Sequence, residues 1–486
     1  MRQRARRRRV PLAALLLVAS LAHDVAGADA PAPIALHPEN PHYFLFRGKP
    51  AVLITSAEHY GALLNADFDY VPYLDELKAR DLNLTRTFSG VYREVPGSFN
   101  IKDNTLAPRD ANYVSPWARS ADGKYDLTRW NDAYFTRLKD FLKAAGERGV
   151  VVELVLFCTF YEDVLWEICP LNRRNNVNGV GNVGREQVHT LKEKPLVDAQ
   201  LALVRKLVAE LKDFDNLYYE VCNEPYFAGV ADDWQRLVAQ TVVDAEKGFP
   251  RKHLIARNIA NGSKKIENPD PNVSVFNFHY ANPPDAVGQN YGLNKVIAYD
   301  ETGFRGTGDA VYRTHAWHFL LAGGAVYNNL DYSFTAAAED GSAKVTPPTP
   351  GGGGAELRRQ LRILRRFVEG FDFLRMKPGG DVVTTKARGV TVRVLGEPRK
   401  QYAVYVSRIE EEKKADGKGT GKFFDPAAGK PVLLELDLPG GGYAGEWVNP
   451  RTGERRARTV EGGGVVTIET PEFEEDLALR LVATED

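Results

Sequence analysis

The chain has 486 residues, 43% hydrophobic and 26% charged, which suits a globular protein with one large domain and a smaller one. Three cysteines and two methionines argue against a disulfide scaffold or a cysteine-rich metal site. The formal net charge of −1 becomes −5 once the first 30 residues, with six arginines and two aspartates, are set aside. Such a chain is a poor partner for nucleic acid or an anionic membrane.

Those first 30 residues read as a signal peptide. Arg2, Arg4 and Arg6 to Arg9 precede an apolar run from Val10 to Leu21, and Ala26-Gly27-Ala28 and Ala28-Asp29-Ala30 both fit a cleavage site. The expected location is therefore secreted, periplasmic or cell-surface. No later stretch reaches about 18 apolar residues, so no membrane span is expected in the mature chain.

In the mature chain, Tyr43 to Pro50 reads as a small hairpin, followed by a first buried strand, Ala51 to Thr55. Phe68 to Arg80 is an amphipathic helix, and Leu82 to Phe88 a second strand. A long polar loop leads to a helix over Trp130 to Gly149, with Trp130, Tyr134, Leu138, Phe141 and Ala145 on one stripe. Val150 to Phe157 is a third strand, apolar as a doubly covered parallel strand should be. A loop with Trp166 and the Asn-rich run 172–182 precedes a helix carrying Val197, Leu201, Val204, Val208 and Leu211. The fourth strand ends in Asn223-Glu224-Pro225, where proline must stop the ladder.

Strands over His253 to Arg257, Val273 to His279, Lys295 to Asp300 and Ala325 to Leu330 follow, with helices over Asp232 to Lys247, Asp309 to Ala322 and Glu356 to Phe367. The fifth and sixth strands are joined by an irregular segment without a clear helix. Eight strands over about 320 residues fit a (β/α)8 TIM barrel, an α/β fold, spanning residues 31–378. The absence of G-x-G-x-x-G after the first strand leaves a dinucleotide-binding sheet without support. Thr346 to Gly354, TPPTPGGGG, falls between the eighth strand and the last helix and reads as a flexible rim. From 379 to 486 short alternating strands predict a small all-β module, a β-sandwich, and Glu410 to Lys422 reads as a solvated charged loop.

In a barrel the strand ends meet at one lip. The fourth strand delivers Asn223 and Glu224, and the seventh delivers Glu301. Two carboxylates across the lip suit glycosidic bond hydrolysis, one as acid and one as nucleophile.

Asn223-Glu224-Pro225 ending strand four, with Asp300-Glu301-Thr302-Gly303 ending strand seven, resembles the clan A glycoside hydrolases, which include the cellulase-like family 5 enzymes. The resemblance covers about residues 40–375. It implies retaining double displacement with Glu224 as acid/base, Glu301 as nucleophile and carboxyl groups about 5–5.5 Å apart. It further implies that Arg86 holds the nucleophile ionised, that Asn223 takes a hydrogen bond from the sugar 2-hydroxyl, and that His279 and Tyr280 are the strand-six pair. Three departures stand out. His279 and Tyr280 are adjacent where the family spaces them one residue apart. Strand eight has no tryptophan, and strand three no histidine.

Other candidates for substrate contact are Glu58 and His59 at the end of strand one, and the aromatics Trp166 and Tyr327. Arg86 has an alternative role as a core salt bridge with Glu220. The scattered histidines give no metal-ligand spacing, and no cofactor is expected. A Cys158–Cys169 bridge is compatible with an oxidising compartment. The expected partner is a poly- or oligosaccharide. The rival readings are a non-catalytic carbohydrate-binding protein on a degenerate barrel and an adhesion protein whose β module does the work.

Overall fold

The computed structural model describes residues 32–379, 382–385, 389–411, 421–423 and 429–484. The expected signal peptide and most of the charged run 410–422 lie outside the described residues.

Eight parallel strands form the barrel: β1 Leu53–Ala57, β2 Leu84–Phe88, β3 Val151–Cys158, β4 Leu217–Asn223, β5 Ile255–Asn261, β6 Val275–His279, β7 Val296–Thr302 and β8 Val326–Leu330. They pair in the order β1-β8-β7-β6-β5-β4-β3-β2. Every β1, β2, β3, β4, β6, β7 and β8 residue is buried, as expected for strands covered on both faces. Helices α1 Tyr70–Ala79, α2 Asp132–Glu147, α3 Lys194–Leu211, α4 Asp232–Ala245, α5 Asp285–Asn290, α6 Asp309–Leu321 and α7 Ala355–Glu369 alternate with them. No helix separates β5 from β6, matching the irregular segment read from the sequence.

The seam between β1 and β2 carries no strand ladder. It is stitched by Asn83, whose side chain accepts from the Ile54 amide at 2.9 Å and donates to the Val52 carbonyl at 2.8 Å. The amide thus satisfies edge groups that a closed barrel cannot leave bare.

Ahead of β1, Ala35–Leu36, Phe44–Phe46 and Lys49–Ala51 form a three-stranded sheet, which takes in the hairpin and the start of the first predicted strand. The TPPTPGGGG segment is tied down rather than loose. Gly354 N donates to Asp331 at 3.1 Å, Tyr332 N to the Gly352 carbonyl at 3.1 Å, and Gly306 N to the Pro350 carbonyl at 3.0 Å. A Cβ on Gly353 would lie 2.1 Å from an Asp331 carboxylate oxygen, so only glycine lets the loop lie on that residue.

The C-terminal module is one antiparallel seven-stranded sheet that doubles over in a sandwich-like way. Its 16-residue strand Leu433–Val448 pairs with Val383–Thr385 at one end and with Asp476–Ala483 at the other, and Arg455–Glu469 lies alongside it. Val404, Leu434, Leu436, Trp447 and Leu479 fill the fold. The module packs on α6: Trp317 stacks on Tyr405 at 5.2 Å, and buried Arg313 pairs with Asp476 at 2.9 Å and Glu475 at 2.6 Å. The Asn449–Gly453 turn lies against α7, where Arg359 donates to the Arg451 carbonyl.

Candidate active site

Three local irregularities at the carboxyl ends of the strands build the site. A strand sends successive side chains to opposite faces, yet adjacent residues converge here. Glu224 follows β4 in the left-handed region, φ +45°. Its carboxylate and the Asn223 amide consequently meet the same phenol: Asn223 Nδ2 donates to the Tyr161 oxygen at 2.9 Å, and Tyr161 donates to Glu224 Oε2 at 2.6 Å. Tyr280 repeats the device after β6, with φ +49°. Its hydroxyl donates to Glu301 Oε1 at 3.0 Å, the oxygen that also lies 3.3 Å from His279 Nδ1. This left-handed turn reconciles an adjacent His-Tyr pair with a spacing that would otherwise place the two on opposite faces.

The third irregularity is a bulge in β7. Tyr299 pairs with Phe278 but Glu301 with His279, leaving Asp300 as the extra residue. Both neighbouring carboxylates then face Arg86, with Asp300 at 3.2 Å and Glu301 at 3.4 Å.

His279 sits between the two glutamates. Its Nδ1 is 3.0 Å from Glu224 Oε1, and the three donor atoms of Glu224, His279 and Glu301 all lie within 4.8 Å of one another. Glu224 is 7% exposed and Glu301 6%, while His279 and Arg86 are fully buried. Arg86 grips Glu220 with two hydrogen bonds of 2.8 Å, donates to the Asn223 amide oxygen at 2.7 Å, and covers the Tyr60 ring at 4.6 Å. Both roles read for it from the sequence are therefore occupied at once. Tyr60, also left-handed at φ +62°, donates to Glu301 Oε2 at 3.0 Å.

Burial alone would raise the Glu301 carboxyl, but the charges of His279 and Arg86 outweigh it and bring the group down to about 2. Burial would likewise lower His279, and Glu301 and Asp300 pull it well above its ordinary range instead. Below the site, burial together with Asp300 and Glu220 pushes the Glu153 carboxyl well up. Glu153 accepts from Tyr218 at 2.8 Å and from Asn277 at 2.7 Å. Glu153, Glu220 and Asp300 form a second acidic group of cation-binding dimensions. The Arg86 guanidinium already stands against two of its members, supplying the positive charge a metal would bring.

Other candidates fall elsewhere. Glu58 anchors its own loop, accepting from the Gly61 and Ala62 amides at 3.0 Å and from the Thr105 hydroxyl at 2.6 Å. His59 lies beside Tyr332 and 3.6 Å from Glu94. Trp166 is buried, donating to the Val183 carbonyl at 2.8 Å and packing on Phe160. Tyr327 is buried against Tyr299 and donates to the Tyr312 carbonyl at 2.7 Å. Neither aromatic offers a face to a sugar. The three cysteines are free and buried, which overturns the Cys158–Cys169 bridge. Cys169 instead donates to the Val91 carbonyl, and Cys158 lies under Asn223.

Sequence reading missed Tyr161 and Tyr226. Tyr161 leaves β3 where the family-type histidine was sought, and its hydroxyl bonds both members of the Asn223-Glu224 pair. Tyr226 donates to Glu224 Oε1 at 3.3 Å. Its position two residues past Glu224 is a spacing signal that was available.

No family model matches the chain, and no curated protein matches its sequence. Solved structures do share its fold. A glycoside hydrolase superposes with a TM-score of 0.62 at 13% identity, covering 94% of this chain and 98% of the other. A family 5 glycoside hydrolase from Bacteroides vulgatus gives 0.60 at 13% identity, covering 93% and 94%. The barrel and the C-terminal module are thus an arrangement found in glycoside hydrolases.

Proposed function

We propose that the chain is a retaining glycoside hydrolase acting on an O-glycosidic bond of a poly- or oligosaccharide. The observation that carries the reading is the approach of Glu224 and Glu301, which share His279 Nδ1 at 3.0 and 3.3 Å and bring one carboxylate oxygen of each within 4.8 Å of the other. That distance suits a retaining pair rather than an inverting one, which needs roughly 6.5–9.5 Å to admit a water.

In the first step a Glu301 oxygen bonds to the anomeric carbon as the glycosidic C–O bond breaks. Glu224 gives its proton to the departing oxygen. In the second step water attacks the glycosyl-enzyme ester, Glu224 takes the water's proton, and Glu301 leaves as carboxylate. Arg86, His279, Tyr60 and Tyr280 favour the ionised nucleophile, as the low pKa of Glu301 requires. Tyr161 and Tyr226 orient the acid/base. The Asn223 amide, its oxygen held by Arg86 and its nitrogen by Tyr161, stands beside Glu224 as the group proposed to meet the sugar 2-hydroxyl.

The proposed export signal places this activity outside the cytoplasm, to be checked by the mass of the mature N-terminus. For the chemistry, a panel of nitrophenyl glycosides and plant or algal polysaccharides identifies a substrate. Glu301→Gln should then abolish turnover. Glu224→Gly should be rescued by azide as a glycosyl azide of retained configuration. Unchanged turnover in Glu301→Gln would exclude the assignment.

A further inference from the structure

The two glutamates lie at the bottom of a ring of aromatic side chains. Tyr280 touches Phe304 (ring centres 6.5 Å apart), Phe304 touches Phe99 (6.3 Å), Phe99 touches Tyr161 (5.3 Å), Tyr161 touches Phe227 (5.9 Å), and Phe227 touches Tyr226 (5.1 Å). Tyr226 in turn bonds Asn261 at the end of β5. The ring therefore runs from β6 through the loops of β7, β2, β3 and β4 to β5.

Its two sides differ. The Phe99–Phe304 contact bridges the β2 and β7 loops across β1 and β8. Both phenylalanines are held in the left-handed region, φ +56° and +53°, a conformation costly for a bulky residue. The same side is bolted by further cross-loop bonds: Lys102 N to Thr349 Oγ1 at 3.2 Å and Thr105 Oγ1 to Glu58 at 2.6 Å. The other side, next to Glu224, ends in Tyr226, 37% exposed like Phe304 of the bridge, and in Phe227, the most exposed ring at 56%.

We infer that the site is a blind pocket for one terminal, non-reducing sugar, which makes the enzyme exo-acting. The inference rests on the glycosidase reading and adds its mode of attack. A polysaccharide threaded through an open cleft needs space beyond the glycone, where this chain has the Phe99–Phe304 bridge. The leaving group departs past Glu224 and the exposed Phe227 and Tyr226, so everything beyond the scissile bond stays at the open side.

The test uses the wild-type chain on hexasaccharides of both anomeric series, carrying 2-aminobenzamide on the reducing end. The labelled pentasaccharide should appear first, then the tetrasaccharide, with free monosaccharide as the other product and no early loss of viscosity in the parent polysaccharide. Labelled di- or trisaccharide among the first products, or a rapid viscosity drop, would overturn the pocket while leaving the glycosidase reading intact. Failure to cleave any oligosaccharide or nitrophenyl glycoside would remove both. Phe99→Ala should add internal cleavage products at the expense of monosaccharide release. A product ladder unchanged by that substitution would show that the bridge does not set the mode.

Discussion

His279 touches both carboxylates of the site and so governs how protons are divided between them. Its charge is the largest influence pulling Glu301 down against burial. With Glu301 held at about 2, the proposed nucleophile is ionised throughout the ordinary working range. Replacing His279 by Gln removes that influence, so the Glu301 pKa must rise. The acid limb of kcat/KM should then move to higher pH, and a limb that stays in place would contradict the charge assignment. Tyr161 acts on the other carboxylate. Tyr161→Phe removes a 2.6 Å hydrogen bond to Glu224, an interaction of the class worth about 1.5–3 kcal/mol. It should lower kcat/KM by roughly 10- to 100-fold on substrates with poor leaving groups. Nitrophenyl glycosides, whose leaving group needs little protonation, should suffer less.

At this scale the sequence named Glu224, Glu301, Asn223, Arg86, His279 and Tyr280, and the structure gathers all six. How they gather was not legible. Strand alternation would separate Asn223 from Glu224, His279 from Tyr280 and Asp300 from Glu301. Two left-handed residues and one bulge cancel that alternation, and no local residue preference announces them. Ring chemistry alone recommends Trp166 and Tyr327, and burial removes both from the lip.

Among the elements, the seam between β1 and β2 stands apart because no strand ladder joins them. Asn83 joins the strands there with two side-chain bonds and one from its own amide to the Ile54 carbonyl at 3.3 Å. Asn83→Ala strands the buried Ile54 amide and Val52 carbonyl, at a cost of about 1–3 kcal/mol for each unsatisfied group. Urea unfolding should show a lower midpoint with an unchanged slope; an unchanged midpoint would mean that the seam is held otherwise. Order and type of the barrel strands were readable from apolar runs between helical stripes. The TPPTPGGGG loop was not, because composition reports freedom of the chain while its bonds are made with Asp331, Tyr332 and Gly306, set by tertiary structure.

Across the whole molecule, barrel and module share a core: Leu395, Tyr405, Val448 and Ala478 of the module join the barrel's cluster. The ion pair of Arg313 with Asp476 is buried on both sides. Arg313→Met leaves Asp476 without its charge partner, and removal of one member of such a pair costs about 3–5 kcal/mol. A smaller loss, or separate melting of barrel and module, would argue that the module is an independent appendage. The module's long strands were hidden because the glycines at 440–442 and 462–464 read as turns. In the sheet they form a register shift through which one strand bends and serves both faces.

The proposed retaining assignment draws on residue geometry and on the strand-end irregularities that bring Glu224 and Glu301 together. Proton NMR of the first sugar released from the best substrate in the panel, recorded before mutarotation, tests it most directly. Release of the same anomer as in the substrate is the predicted result; release of the opposite anomer would contradict the two-step mechanism and the role given to Glu301.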